Sequence, residues 1–124
     1  MTNQDGLTGL TILVLEDDYL LAEDTRRTLE AAGATVLGPC RSASQARTLT
    51  SKKMPDCAIV DINLGEGPNF EPARDFLAQG VPILMTTGYD GSVIPEELRE
   101  HPCLQKPVPA DKILSAVSRL CSRS

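Results

Sequence analysis

Four separate stretches of the chain carry polar residues that could act together: Glu16-Asp17-Asp18, Asp61, Thr86-Thr87 and Lys106. They offer carboxylates, hydroxyls and one amine, with no clustered His or Cys beside them. Carboxylates drawn to one point repel one another, which raises their proton affinity unless a cation binds. Oxygen-only donors favour a hard ion, Mg2+ or Mn2+, and Mg2+ keeps coordination positions open for water and phosphate. One divalent ion and the Lys106 ammonium would neutralise Glu16, Asp17 and Asp61. Charge added by a phosphoryl group on Asp61 could then be held by the same two cations. Such a transfer asks mainly for positioning and charge neutralisation. Taken singly, each group has a plainer explanation. An acidic pair before a helix caps it and complements its dipole, Asp61 and Thr87 could form turns, and Lys106 could be a surface lysine.

The chemistry therefore depends on whether the chain brings these stretches together. Short apolar runs alternate with longer amphipathic ones, as in repeated β-α units. Leu10 to Leu15 is a nearly continuous apolar run, as expected of a strand covered on both faces. Asp18 to Ala32 reads as a helix, with Leu20, Leu21, Thr25, Leu29 and Ala32 at helical spacing and Gly33 to stop it. Thr35 to Gly38 reads as a second strand, and Ser42 can cap a helix running to about Lys53, before Pro55. Cys57 to Val60 is a third strand that delivers Asp61 at its C-terminal end. A loop over Asn63 to Pro68 precedes a helix from Glu71 to Gln79, which Gly80 stops. Val81 to Thr86 is a fourth strand, Pro95 opens a short helix ending near Glu100, Cys103 to Gln105 is a fifth strand, and Asp111 to Leu120 forms a last helix. Five strands and five helices in alternation predict a doubly wound parallel sheet. Ligands in such sheets bind beyond the carboxyl ends of the strands, where all four polar stretches fall.

Bulk properties narrow the function classes. A chain of 124 residues is the size of one domain, with an expected core over about 10–121 and no output domain. Twelve basic against seventeen acidic residues give a net charge of −5, which repels a nucleic-acid backbone, and the chain has no Trp for base stacking. Neither a signal peptide nor an apolar run of membrane-spanning length is present, so no membrane partner and a cytoplasmic location are expected. Cys40, Cys57, Cys103 and Cys121 form no C-x-x-C pair and read as small apolar residues of a reducing compartment. His101, the single histidine, reads as an ordinary surface residue.

The ordered motifs Leu13-Val14-Leu15-Glu16-Asp17-Asp18, Ile59-Val60-Asp61-Ile62-Asn63-Leu64, Met85-Thr86-Thr87-Gly88-Tyr89 and Gln105-Lys106-Pro107 resemble those of the response-regulator receiver domains of two-component signalling, of the stand-alone type, over essentially the whole length. The resemblance implies a flavodoxin-like fold with strand order 2-1-3-4-5. It implies that Asp61 is the phosphoacceptor and forms a 4-aspartylphosphate. Glu16, Asp17, Asp61 and the main-chain carbonyl of Asn63 would hold the metal. Lys106 would pair with the phosphoryl group, and the Thr87 hydroxyl would move to meet it as the switch event. A cis peptide is implied between Lys106 and Pro107. The implied phosphodonor is a sensor histidine kinase or a histidine phosphotransfer protein. A downstream protein would read the state on the face of helix four, strand five and helix five, or the domain would drain phosphate from a shared kinase.

The pattern is not followed everywhere. Receivers usually carry an aromatic switch residue three positions before the lysine, and here that position is Cys103. Tyr89, two residues after Thr87, is a candidate substitute. The run Thr87-Gly88-Tyr89 also resembles a subgroup of single-domain bacterial receivers, many of which serve stress or general regulatory kinases. Three other readings compete. A phosphohydrolase of the haloacid-dehalogenase type needs a second acid two positions after its nucleophile, where this chain has Asn63. A flavodoxin-like cofactor binder needs a phosphate loop where Glu16-Asp17-Asp18 would repel the ligand. A non-phosphorylated pseudo-receiver would have no reason to tolerate so many carboxylates. The chain is accordingly expected to be a signalling domain rather than an enzyme.

Overall fold

The structure is a computed structural model and describes residues 6–64, 67–88 and 94–121. Strands β1 (Thr11–Leu15), β2 (Thr35–Cys40), β3 (Cys57–Asp61), β4 (Ile83–Thr87) and β5 (Cys103–Gln105) form one sheet. All its pairs are parallel and its order is β2-β1-β3-β4-β5. Between them run helices α1 (Tyr19–Ala31), α2 (Ala43–Lys52), α3 (Glu71–Ala78) and, after β5, α4 (Ala110–Cys121). Every residue of β1, β3 and β4 is buried, because helices cover both faces of a parallel sheet.

Alternate side chains of each strand leave on opposite faces, which splits the core in two. Leu13, Leu15, Ala58, Val60, Ile83 and Met85 pack with Ala46 of α2 and with Ala73 and Phe76 of α3. Ile12, Val14, Cys57, Ile59 and Leu84 pack with Leu29 of α1 and with Ile113 and Val117 of α4. Both layers consist mainly of aliphatic side chains, whose burial contributes about 1.5–3 kcal/mol each.

Helix limits follow local chemistry. Asp18 caps α1 by accepting from Leu21 N at 3.1 Å, and Ser42 caps α2 by accepting from Gln45 N at 3.2 Å. Gly33 ends the first helical segment at φ +98°, where a Cβ would strike Thr8. Strand β2 runs two residues past Gly38, through Pro39 to Cys40. Proline is tolerated there because β2 is an edge strand, and the pairing with β1 shifts register between Leu13 and Leu15. Gly38 (φ +95°) makes that irregularity, with the position of a Cβ already filled by Cys40 N and, at 3.1 Å, by Val14 O.

Three expectations need correction. The expected count of five helices is not met: among the described residues there are four α-helices, and the fourth expected helix is a 3-10 turn over Glu96–Leu98. Only i→i+3 bonds form there, from Leu98 N to Pro95 O and from Arg99 N to Glu96 O, and Pro102 leaves no room to continue. Leu20 does not face the core but is 72% exposed; the buried residues of α1 are Ala22 and Leu29. Strand β4 begins at Ile83, after Pro82, and extends to Thr87.

Among the described residues, no helix is long and apolar enough to cross a membrane. Leu84→Ala, which opens a cavity in a fully buried position, should cost about 2–5 kcal/mol in urea unfolding. Leu20→Ala on the exposed face should stay within about 0.5 kcal/mol of the parent.

Candidate functional site

Sheet register assembles the polar stretches. Leu15 pairs with Val60, so Glu16 follows alongside Asp61, the last residue of β3. Asp61 in turn pairs with Thr86, and Thr87 pairs with Gln105, the residue before Lys106. Two backbone bonds hold this rim together, Ile62 N to Thr86 O at 3.0 Å and Lys106 N to Thr87 O at 2.7 Å.

The acidic run after β1 divides its work. Asp18 is spent on capping α1, while Glu16 and Asp17 turn toward Asp61. One ligand oxygen each from Glu16, Asp17 and Asp61 lies within 4.8 Å of the others. Lys106 Nζ sits between two of these carboxylates, 3.1 Å from Glu16 Oε1 and 3.0 Å from Asp61 Oδ2. Asp61 is fully buried and Glu16 nearly so. Its Oδ1 accepts from Asn63 N at 2.8 Å, whereas Oδ2 has the Lys106 charge beside it without an aligned hydrogen bond among the described residues.

Electrostatics reflect the crowding. Burial, together with the adjacent Asp61 carboxylate, pushes Glu16 up from 4.5 to about 7, although the Asp18 N–H and Lys106 pull the other way. Burial alone would lower the proton affinity of Lys106, but the Asp61 and Glu16 carboxylates outweigh it and hold the ammonium above its ordinary value. The donor chemistry fits a hard divalent cation: three carboxylate oxygens of high negative charge density, one buried and incompletely bonded, and no nitrogen or sulfur ligand among them. Glu16, Asp17 and Asp61 would hold it, and the Asn63 carbonyl lies in the loop directly after β3.

Thr87 is buried at the end of β4, with its hydroxyl 3.2 Å from Asn63 Oδ1. Cys103 is half-buried on β5 opposite Met85 and packs against the α2–α3 layer, where burial raises its thiol. Tyr89 lies outside the described residues. The Lys106–Pro107 peptide is cis, and so is Gly38–Pro39, which no motif pointed to. His101 is partly buried, with Glu100 Oε2 3.6 Å away. The side chain of Asn63 is the contact that sequence reading missed. Only its carbonyl had been assigned a part, although its place two residues after Asp61 already set it apart.

A family model of the response regulator receiver domain matches residues 12–118. The chain belongs to that family. The sensor protein TorS of Escherichia coli (strain K12) is 32% identical over 111 residues, covering 85% of this chain and 12% of TorS. The solution structure of the PhyR receiver domain of Erythrobacter litoralis superposes with a TM-score of 0.82 at 21% identity, covering 94% of this chain and 93% of that one. The BeF3-activated conformation of SdrG from Pseudomonas melonis Fr1 gives 0.79 at 27% identity, covering 98% and 99%. The chain spans between 12% and 30% of the length of the curated relatives it matches. This receiver thus shares the flavodoxin-like order of its family, and its acidic cluster lies at the rim where sheets of this type bind ligands.

For the receiver without metal, the raised proton affinity of Glu16 has a consequence for stability. The contribution of protonated Glu16 is fully present below pH 4.5 and is lost as pH rises through about 7. In metal-free buffer, Glu16→Gln should therefore unfold at a higher temperature than the parent above about pH 7, with the gap closing toward pH 4.5. Millimolar Mg2+ should stabilise the parent more than the variant. Thermal melts followed by circular dichroism across that range would check both.

Proposed function

We propose that this receiver domain is a phosphorylation-dependent switch that accepts a phosphoryl group on Asp61 from a sensor histidine kinase or a histidine phosphotransfer protein. One observation carries the reading: Lys106 Nζ bridges Asp61 and Glu16 at 3.0 and 3.1 Å, inside a carboxylate cluster with room for a divalent ion. Mg2+ or Mn2+, when bound, supplies charge neutralisation for the phosphoryl oxygens. The protein does the positioning. Asn63 N–H holds Asp61 Oδ1, which leaves Oδ2 beside Lys106 as the oxygen placed to attack. The bond from phosphorus to the donor nitrogen breaks as the bond to Asp61 forms. Lys106 can then follow the new negative charge from the carboxylate to the phosphoryl oxygens. Thr87, which has a hydroxyl at the same rim, would report the change through β4 and β5. Asn63 has no acidic proton to give a leaving group, which argues against ester turnover. The setting would be cytoplasmic. Output would pass by protein contact through the surface of the 3-10 turn, β5 and α4, or the domain would serve as a phosphate sink.

The test is incubation with acetyl phosphate, with and without Mg2+, followed by intact mass spectrometry. A single phosphoryl adduct is expected in the parent with Mg2+, with none in Asp61→Ala and none without metal. Absence of an adduct in the parent, with Mg2+ shown not to bind, would leave a non-phosphorylated interaction module as the better reading.

A further inference from the structure

Asn63 contributes more than a main-chain carbonyl. Gly88 N donates to Asn63 Oδ1 at 2.9 Å, and the Thr87 hydroxyl lies 3.2 Å from the same oxygen. A backbone N–H can only donate, so the amide atom facing Gly88 is the oxygen, and Thr87 must also act as donor to it. The bonds from Ile62 N to Thr86 O and from Asn69 N to Ile62 O (2.6 Å) anchor the residue before Asn63 on both sides. The side chain therefore spans from the end of β3 to the end of β4. It does so at a cost, since Asn63 Nδ2 is buried with no partner among the described residues.

We propose that the Asn63 side chain is a latch that positions Thr87 and Gly88 in the unphosphorylated arrangement and competes with the phosphoryl group for the Thr87 hydroxyl. The inference rests on the reading of Asp61 as phosphoacceptor. A threonine hydroxyl has one proton and donates to one acceptor at a time. Thr87 can bond Asn63 Oδ1 or a phosphoryl oxygen, but not both. The charged acceptor wins because charge-assisted bonds are roughly twice as strong as neutral ones. Its margin is reduced by whatever the latch bonds contribute. The cost of burying Nδ2 with no partner among the described residues keeps that contribution small, so the latch sets the threshold of the switch without blocking it.

Amide exchange and beryllofluoride affinity test the proposal together. In unphosphorylated protein without metal, Asn63→Ala should speed hydrogen exchange at the Gly88 amide several-fold, and Asn63→Asp, which keeps an acceptor oxygen, should restore protection. Unchanged exchange in Asn63→Ala overturns the latch. With Mg2+, Asn63→Ala should bind beryllofluoride about three- to tenfold more tightly than the parent, the range set by one net hydrogen bond. Asn63→Ser serves as a second variant with the same expected gain. In a Thr87→Val background, with no hydroxyl to compete for, that gain should fall below about twofold. An equal or weaker affinity in Asn63→Ala, or an undiminished gain beside Thr87→Val, means that Asn63 acts only on loop structure. Parent protein that binds no beryllofluoride overturns the phosphoacceptor reading and the competition with it, while the exchange measurement still reports the contact.

Discussion

Glu16 and Asp61 are carboxylates brought out of water at neighbouring strand ends, and they share a single ammonium, Lys106. Holding like charges at this distance is unfavourable unless a cation stands between them. The rest of the site follows from that constraint. Lys106 must arrive from β5, two strands away from Asp61, so the intervening β4 has to be in register with both. Burial first, and then the adjacent Asp61, displace Glu16 up to about 7 despite the one lysine, and three carboxylates around a single ammonium suit a divalent ion. A parallel sheet satisfies the geometry because all its carboxyl ends finish on one rim. The apolar layers on both faces fix the strands well enough to keep the charges there.

The loops at that rim are tied to one another. Asn63 N–H holds the Asp61 carboxylate while its side-chain oxygen holds Thr87 and Gly88, so the proposed phosphoacceptor and the candidate switch residue meet in one residue. A change at Asp61 thereby has a short route to the end of β4. From Thr87 the next link is the bond to Lys106 N, which returns to the cluster through the lysine itself. This closed circuit does not need an aromatic side chain on β5. Cys103, three positions before Lys106, is small, half-buried and packed against the α2–α3 layer.

Burial raises Cys40 to about 11 and pushes Cys57 and Cys103 up as well, which disfavours the reactive thiolate. Charge chemistry in this receiver is concentrated at one rim of the sheet. The chain matches only part of longer relatives, with TorS about eight times the matched length, so the receiver fold by itself does not specify an output.

Strand positions, helix caps and the acidic, hydroxyl and lysine residues were legible in the sequence because each rests on local chemistry. Apolar runs covered on both faces, Ser42 and Asp18 before helices, and Gly33 and Gly80 after them are short-range signals. Periodicity placed Leu20 with the core-facing residues, but α1 buries Ala22 and Leu29 and leaves Leu20 exposed. The six-residue stretch from Pro95 to Glu100 gave a helix signal but could close only 3-10 bonds before Pro102. The motifs already brought Asp61, Lys106 and Thr87 to one rim, but only the pairing of β1, β3, β4 and β5 fixed the direct contacts of Lys106 to Glu16 and Asp61. The division of Glu16, Asp17 and Asp18 was likewise visible only in the fold, where Asp18 accepts from Leu21 N and the other two offer oxygens within 4.8 Å of Asp61. Beyond the place of Asn63 two residues after Asp61, its bridge to Thr87 and Gly88 had no sequence signal, since it joins residues 24 and 25 positions apart through side-chain geometry that only the folded rim creates.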